Sequence, residues 1–286
     1  ILNKINQFEI DYTLINKKEF ILHQGFFPKL KMAFQIGNNS SLAWGFVSKK
    51  YNPYILESAN FYLKKIKKNG FLKKLEEQYY GQAINIKQQD ANEFSMKIKS
   101  TLPIFIDNFK LIASKYNISW QLLASISYQE SRWNPLAKSR TGVRGLMMLT
   151  LPTAKEVGVS NRLDPIQSLD GGAKYFLKLK ERLPKKILEP DRTWLALAAY
   201  NVGLGHLEDA RVITKARGGD PDSWYAIKES LPLLTQKKWY LKTKHGYARG
   251  YEPVHYVQNI RQYYNVLNNQ LFKNIYRKNN NLTNEY

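Results

Sequence analysis

The spacing of apolar residues predicts helices through most of the C-terminal part of the chain. From Leu102 to about Asn269, apolar residues recur at intervals of three and four, which places them on one face of an α-helix. Ser119 is a suitable N-cap for a helix from Trp120 to about Ser131, and Asn134-Pro135 should end it. We therefore predict an all-α domain over residues 102–270, followed by an Asn-rich tail at 271–286.

The N-terminal part has a mixed pattern. Residues 8–12 and 42–47 combine aromatic and β-branched residues with nearby turn formers, which predicts strands. Residues 54–79 have helical spacing, interrupted at Asn69-Gly70. These elements predict an α/β unit over residues 1–85, so the whole chain is assigned to the α+β class. Residues 86–101 are polar and without periodicity, which predicts a linker.

Charge restricts the partners that are expected. The 44 Lys and Arg residues outnumber the 23 Asp and Glu residues, and the net charge is +21. Partners should therefore be anionic, such as an anionic wall polymer or a membrane surface, unless the lysines simply cover the protein surface. The lysines are dispersed and no nucleic-acid-binding motif accompanies them, so we expect no specific nucleic-acid partner.

Several kinds of site and segment are not expected. The chain has no Cys, and its four His residues lack a metal-ligand spacing, so we predict no disulfide and no metal site. No run of 18 apolar residues suggests a membrane span. The chain begins at Ile1 without Met or an export signal, so we expect residue 1 to be an internal position of a longer protein.

Glu130 is the candidate catalytic residue. It lies near the C-terminal end of an apolar predicted helix, next to Tyr128 and Trp133. Partial removal from water raises the pKa of a carboxyl, which can then donate a proton near neutral pH. On its own the pattern is weak evidence, because most Glu residues on helices are solvated.

Four segments that occur in order strengthen this hypothesis: Glu130-Ser131, Gly142–Thr150, Ala198–Gly203 and Tyr256–Ile260. Together they resemble the four motifs of the family 1 lytic transglycosylases, and the resemblance covers about residues 102–268. It implies a lysozyme-like all-α catalytic domain. The N-terminal part resembles the closing portion of a periplasmic solute-binding domain, on the segments Leu42–Phe46, Leu56–Lys67 and Gly70–Gly81.

The resemblance also implies roles for individual residues. Glu130 corresponds to the single catalytic acid/base. The implied substrate-binding residues are Ser131, Ser139, Gly145, Leu146, Met147, Tyr200, Asn201 and Tyr256. One departure concerns Met148, where many members of the wider family carry Gln. Methionine cannot donate a hydrogen bond to a sugar, so that polar contact is in doubt.

The family's reaction suits a site with one carboxylate. Retaining and inverting glycosidases need two, whereas only Glu130 lies within the four segments, and Asp164 and Asp170 lie near predicted helix starts. The resemblance implies cleavage of the β-1,4 bond between MurNAc and GlcNAc in peptidoglycan, leaving 1,6-anhydro-MurNAc ends, by a reaction that needs no cofactor. Two alternatives stay open: a lysozyme-type hydrolase, and a catalytically silent peptidoglycan-binding or sensing module.

The resemblance further implies a location and an additional ligand. Enzymes of this kind act in the periplasm, and we expect this chain to lie there, peripherally at the outer membrane. An intact N-terminal domain of the solute-binding type would take a small ligand.

Overall fold

The computed structural model describes residues 1–6, 8–24, 27, 30–37, 54–81 and 88–282. The chain divides into two compact units, Ile1–Asn85 and Ile86–Tyr286. Each unit is considered by itself below.

The N-terminal unit contains four described helices: α1 (Leu2–Asn6), α2 (Lys17–Gln24), α3 (Tyr54–Lys68) and α4 (Phe71–Tyr80). The prediction of two consecutive helices separated at Asn69-Gly70 is confirmed. Gly70 has a φ of 78°, a left-handed conformation that glycine adopts without steric cost, and this lets the chain turn between α3 and α4. A small apolar cluster of Phe20, Phe27 and Leu30 is buried in the same unit.

The predicted strand at residues 8–12 is wrong. Residues 8–11 form a turn and bends, and the amide of Glu9 donates to the carbonyl of Lys4 at 2.8 Å, which folds the chain back onto the end of α1. Phe8 and Tyr12 are 77% and 88% exposed, so no second strand or core layer covers them. The predicted strand at residues 42–47 lies outside the described residues. The described part of this unit is helical, and it does not support the α/β assignment.

The C-terminal unit is built from helices, in agreement with the prediction for residues 102–270. A short 3₁₀ helix at Leu231–Thr235 lies between the α-helices Trp224–Ser230 and Lys237–Tyr240. The α-helices are α5 (Gln88–Ser100), α6 (Leu102–Tyr116), α7 (Trp120–Ser131), α8 (Leu151–Val157), α9 (Pro165–Arg182), α10 (Asp191–Val202), α11 (Leu204–Ala216), α12 (Trp224–Ser230), α13 (Lys237–Tyr240) and α14 (Tyr251–Leu282).

Two predicted boundaries differ from the structure. Residues 88–100, within the expected linker, form α5, because Ala91, Phe94 and Ile98 recur at helical spacing and give the helix one apolar face. Phe94 is only 2% exposed, so α5 is part of the packed unit. The expected tail at 271–286 is also helical as far as Leu282, because α14 continues past residue 270.

Helix α7 lies at the centre of the C-terminal unit. It packs against α6 and α14, while α9 and α14 pack against α10. Seven consecutive residues of α7, from Leu122 to Tyr128, are buried, and the next turn of the helix carries Glu130. In the part of the chain that the structure describes, no helix combines the length and the hydropathy that crossing a membrane requires.

Candidate active site

Glu130 is placed by the last turn of α7. The helix begins at the predicted cap, where the Ser119 hydroxyl accepts from the amide of Leu122 at 3.3 Å. It ends at Arg132, whose φ is 55° and whose amide donates to the carbonyl of Tyr128 at 2.9 Å. Trp133 is also left-handed, with a φ of 59°. Two consecutive left-handed residues that are not glycine require firm support from their surroundings.

The tyrosine of the fourth motif contacts the candidate catalytic carboxyl directly. The Tyr256 hydroxyl on α14 donates to Oε1 of Glu130 at 2.5 Å. Tyr256 is 5% exposed, so this hydrogen bond is shielded from bulk water. A short hydrogen bond to an ionised oxygen is stronger than one between neutral groups, and it fixes the orientation of the carboxyl.

Burial raises the pKa of the Glu130 carboxyl from 4.5 to about 7, because the charged form loses its hydration. The hydrogen bond from Tyr256 acts in the opposite direction, since it stabilises the carboxylate. Burial also raises the pKa of Tyr256 and of Tyr200 well above the usual value, and the negative charge of Glu130 adds to this effect. The tyrosines therefore stay neutral donors, and Glu130 can hold a proton near neutral pH.

Tyr200 forms the next part of the site. Its ring is nearly parallel to that of Tyr256, with 6.4 Å between the centroids and 13° between the planes. Its hydroxyl donates to the carbonyl of Met147 at 3.1 Å. Tyr175 on α9, which the motifs did not indicate, lies edge-on to Tyr200 at 5.3 Å and extends the row of aromatic rings.

The turn at residues 145–148 lies next to Tyr200 and the last turn of α7. Gly145 has a φ of 83°, and a Cβ at this position would lie 1.8 Å from the carbonyl oxygen of Arg162, so only glycine fits. Leu146 and Met147 are fully buried. These two residues therefore support the turn from inside the core, and their backbone carbonyls accept hydrogen bonds from within the protein.

Ser131 connects this turn to α7. Its hydroxyl donates to the carbonyl of Leu146 at 2.9 Å, and the Ser127 hydroxyl, one helical turn earlier, donates to the same oxygen at 3.1 Å. Both hydroxyls are buried and used within the protein. Ser131 therefore supports the turn through this hydrogen bond, and a contact between Ser131 and the substrate stays a prediction.

The other two predicted site residues lie at the surface. Ser139 is half-buried, and its hydroxyl accepts from the amides of Thr141 and Val143 at 3.2 and 3.3 Å, which shapes the loop before Gly145. Asn201 is exposed near the end of α10, next to Tyr200. Met148 is half-buried and left-handed, with a φ of 45°.

The candidate acidic partners of Glu130 have other contacts. Asp164 caps α9 by accepting from the amide of Gln167 at 2.8 Å. Asp170 accepts from Lys115 and Tyr116 at 2.6 and 2.8 Å, and these partners lower its pKa although burial opposes the change. Among the described residues, no three His, Asp or Glu side chains are grouped as a metal ion would require.

Parts of the chain are similar to known proteins. Residues 107–222 match the family described as the transglycosylase SLT domain. The SLT match contains Glu130, the turn at 145–148 and Tyr200, whereas Tyr256 and α5 lie outside it.

Two curated relatives, both described as membrane-bound lytic murein transglycosylase F, match 93% of the chain over 267 residues. The protein from Hahella chejuensis is 51% identical, and 52% of its length is covered. The protein from Stutzerimonas stutzeri is 48% identical, and 55% of its length is covered. The chain thus spans about half the length of these relatives. Among solved structures, the lytic transglycosylase Slt from Pseudomonas aeruginosa, solved as an inactive mutant, matches 73% of this chain and 34% of its own, with 16% identity and a TM-score of 0.43.

Proposed function

We propose that this chain is a peptidoglycan lytic transglycosylase in which Glu130 is the single catalytic acid/base. The observation that carries the proposal is the Glu130–Tyr256 pair, a half-buried carboxyl with a raised pKa that accepts a short hydrogen bond. The SLT domain and the relatives named lytic murein transglycosylase support the substrate class, glycan strands of peptidoglycan.

The reaction begins with proton donation. Protonated Glu130 gives its proton to the oxygen between MurNAc and GlcNAc, and the C1–O bond breaks. The acetamido group of the substrate stabilises the positive charge that develops at C1. Tyr256 donates to the carboxylate that remains, which limits the cost of forming a charge in a site with little water.

The second half of the reaction returns the proton. The C6 hydroxyl of MurNAc attacks C1, and the Glu130 carboxylate accepts the proton of that hydroxyl. The products are a 1,6-anhydro-MurNAc end and a free GlcNAc hydroxyl, and no water is consumed. No cofactor takes part in these steps.

One carboxylate suffices for this chemistry, and the surroundings of Glu130 fit that requirement. Burial raises the pKa of Glu130 and the hydrogen bond from Tyr256 lowers it, and no second carboxylate is among the causes of the shift. Asp164 and Asp170 have structural partners. A retaining or inverting hydrolase needs a second carboxylate facing the first across the sugar.

The proposed substrate contacts divide into two groups. Tyr200 and Tyr256 lie at the reacting bond, and the buried turn of Gly145, Leu146 and Met147 forms the floor beneath them. Ser139 and Asn201 contact sugars farther along the strand. Ser131 supports the first group through the carbonyl of Leu146.

Product analysis tests the proposal and separates it from the alternatives. Mass spectrometry of digested sacculi should show anhydro-MurNAc ends, one water lighter than the ends that a lysozyme-type hydrolase produces. Glu130→Gln should give no products, and it serves as the control for contaminating activity. Binding of sacculi without any products would favour a silent binding module instead.

We further infer that the protein acts in the periplasm, peripherally at the outer membrane, and that its positive charge favours the anionic wall or membrane. One segment suits such a surface. Residues 237–251 contain no Asp or Glu, and Leu241, Tyr247 and Tyr251 are more than half exposed. The segment's basic residues, all exposed, are Lys237, Lys238, Lys242, Lys244 and Arg249. Basic and aromatic residues together are typical of surfaces that bind anionic interfaces.

A further inference from the structure

Helix α5 lies against the two helices that provide the Glu130–Tyr256 pair. The Phe94 ring is 4.5 Å from the ring of Tyr128 on α7 and 4.5 Å from that of Tyr263 on α14. Tyr128 is two residues before Glu130, and Tyr263 is two helical turns after Tyr256. Phe94 therefore packs between the two segments whose separation sets the 2.5 Å hydrogen bond.

Polar contacts join α5 to the turn that follows Glu130. The Lys97 ammonium donates to the carbonyl of Arg132 at 3.1 Å, which satisfies an acceptor at the end of α7. The Arg132 guanidinium is 3.6 Å from the Asp90 carboxylate. It also lies over the Tyr128 ring at 4.8 Å and donates to the Tyr263 hydroxyl at 3.1 Å.

These contacts hold a backbone that is unfavourable on its own. Arg132 and Trp133 are both left-handed, a conformation that side chains disfavour and that persists only when neighbours fix it. Trp133 is 1% exposed, and its ring lies 5.7 Å from that of Phe94. Thus α5 supports the two strained residues that end the catalytic helix.

We propose that α5 is a positioning element of the active site, in which Phe94 and Lys97 hold the end of α7 so that Glu130 stays hydrogen-bonded to Tyr256. The proposal rests on the proposed function of Glu130. Neither Phe94 nor Lys97 contacts the carboxyl or contributes charge to it, so they act through position alone. The catalytic unit accordingly includes α5, which precedes the SLT match.

The first test uses Phe94→Ala in the full chain, with Phe94→Leu as the conservative variant. Truncation should lower kcat on a soluble glycan fragment by about 10- to 100-fold, because small displacements of reacting groups have effects of this size. Water that reaches a loosened Glu130 should also lower its pKa, so the alkaline limb of the kcat profile should move to lower pH. Phe94→Leu should restore most of both properties.

A matched control separates position from stability. Ile213 on α11 is 2% exposed, and α11 packs against neither α7 nor α14 among the main helix contacts. Ile213→Ala should lower the unfolding temperature and leave kcat and the pH profile of the folded enzyme unchanged. If Phe94→Ala has the same kcat and alkaline limb as Ile213→Ala, the positioning role is refuted.

Lys97→Met provides a second test. It remains informative even if Phe94→Ala does not fold. It keeps the length of the side chain and removes the donor to Arg132, and Lys99→Met on the exposed face of α5 is its control. We expect only Lys97→Met to lower kcat and move the alkaline limb. Equal behaviour of the two lysine variants would overturn the proposal.

A direct titration distinguishes failure of this proposal from failure of the proposed function. The Glu130 carboxyl can be followed by NMR with carbon-13-labelled glutamate and assigned with Glu130→Gln. Lys97→Met should lower the Glu130 pKa relative to Lys99→Met, whether or not glycan is cleaved. An unchanged pKa refutes positioning by α5, whereas absence of anhydro products from the unaltered protein refutes the proposed function.

Discussion

Replacing Glu130 with glutamine should make the protein inactive and more stable at alkaline pH. The pKa of Glu130 is about 7 in the folded protein and 4.5 in the unfolded chain. Below pH 4.5 both states carry the proton and folding is unaffected. As the pH rises from 4.5 to 7, the unfolded chain loses its proton first, so the wild-type protein loses stability over this window. The difference of 2.5 pKa units corresponds to about 3 kcal/mol at pH 8.

A glutamine side chain cannot ionise, so the Glu130→Gln variant avoids this loss. Denaturant unfolding of both proteins between pH 4 and pH 8 should give a stability difference that grows in favour of Glu130→Gln by about 3 kcal/mol. Glu181→Gln on the exposed face of α9 is the control, and its stability difference should stay constant with pH. A constant difference for Glu130→Gln as well would contradict the partial removal of the carboxyl from water and the assignment of Glu130 as a proton donor at neutral pH.

Three other predictions concern the tyrosine, the domain boundary and the surface charge. Tyr256→Phe removes the hydrogen bond that lowers the Glu130 pKa. The alkaline limb of the pH–rate profile should therefore move to higher pH, and kcat should fall roughly 100-fold. An unmoved limb would show that the Tyr256 hydroxyl does not contact the catalytic Glu130 carboxyl. The free energy of unfolding of a fragment of residues 88–270 should exceed that of residues 102–270 by roughly 3–5 kcal/mol, because the shorter fragment lacks the buried Phe94. Equal stability of the two fragments would show that α5 does not contribute to the packed unit. Added salt should weaken pull-down with sacculi and leave the rate on a short soluble glycan nearly unchanged, because exposed lysines are screened over about 8 Å at physiological salt; a parallel fall of both would assign the charge to the site itself.

The sequence predicted the helices of the C-terminal unit well, because long amphipathic segments carry a strong periodic pattern. Helix α5 was missed because only Ala91, Phe94 and Ile98 mark its apolar face among many polar residues. The strand predicted at residues 8–12 failed for a related reason. Aromatic residues in a short segment suit a strand only if another layer covers them, and Phe8 and Tyr12 are exposed.

The candidate site was predicted in part. Glu130 and Tyr256 were singled out separately, and the structure brings them within 2.5 Å. Periodicity could not predict that contact, because α7 and α14 meet only through tertiary packing. The sequence also could not distinguish a buried side chain from a groove-lining one at Leu146 and Met147. Gly172 is the residue whose small size makes room for the Met147 side chain, since a Cβ there would lie 2.5 Å from it. The sequence alone does not show that these two residues are in contact.

Two glycines in one loop allow the role of the turn at residues 145–148 to be tested. Gly142 and Gly145 have nearly the same φ, 82° and 83°, so an alanine is strained by a similar amount at either position, about 1–2 kcal/mol. Their surroundings differ. A Cβ at Gly142 meets nothing within 4 Å, whereas one at Gly145 would lie 1.8 Å from the Arg162 carbonyl oxygen. Gly142→Ala therefore measures the strain of the conformation alone.

Gly145→Ala adds a displacement of the turn, and that displacement reaches Glu130 through two hydrogen bonds. The carbonyl of Leu146 accepts from Ser131, and the carbonyl of Met147 accepts from Tyr200. Backbone strain should lower the stability of both variants by a similar amount. Gly145→Ala should lose further stability because its Cβ also clashes with the Arg162 carbonyl oxygen. On a soluble glycan fragment, kcat should fall at least about 10-fold in Gly145→Ala and remain near the wild-type value in Gly142→Ala. If folded Gly145→Ala keeps the wild-type kcat, the turn does not position Glu130, and the hydrogen bonds from Ser131 and Tyr200 serve stability only.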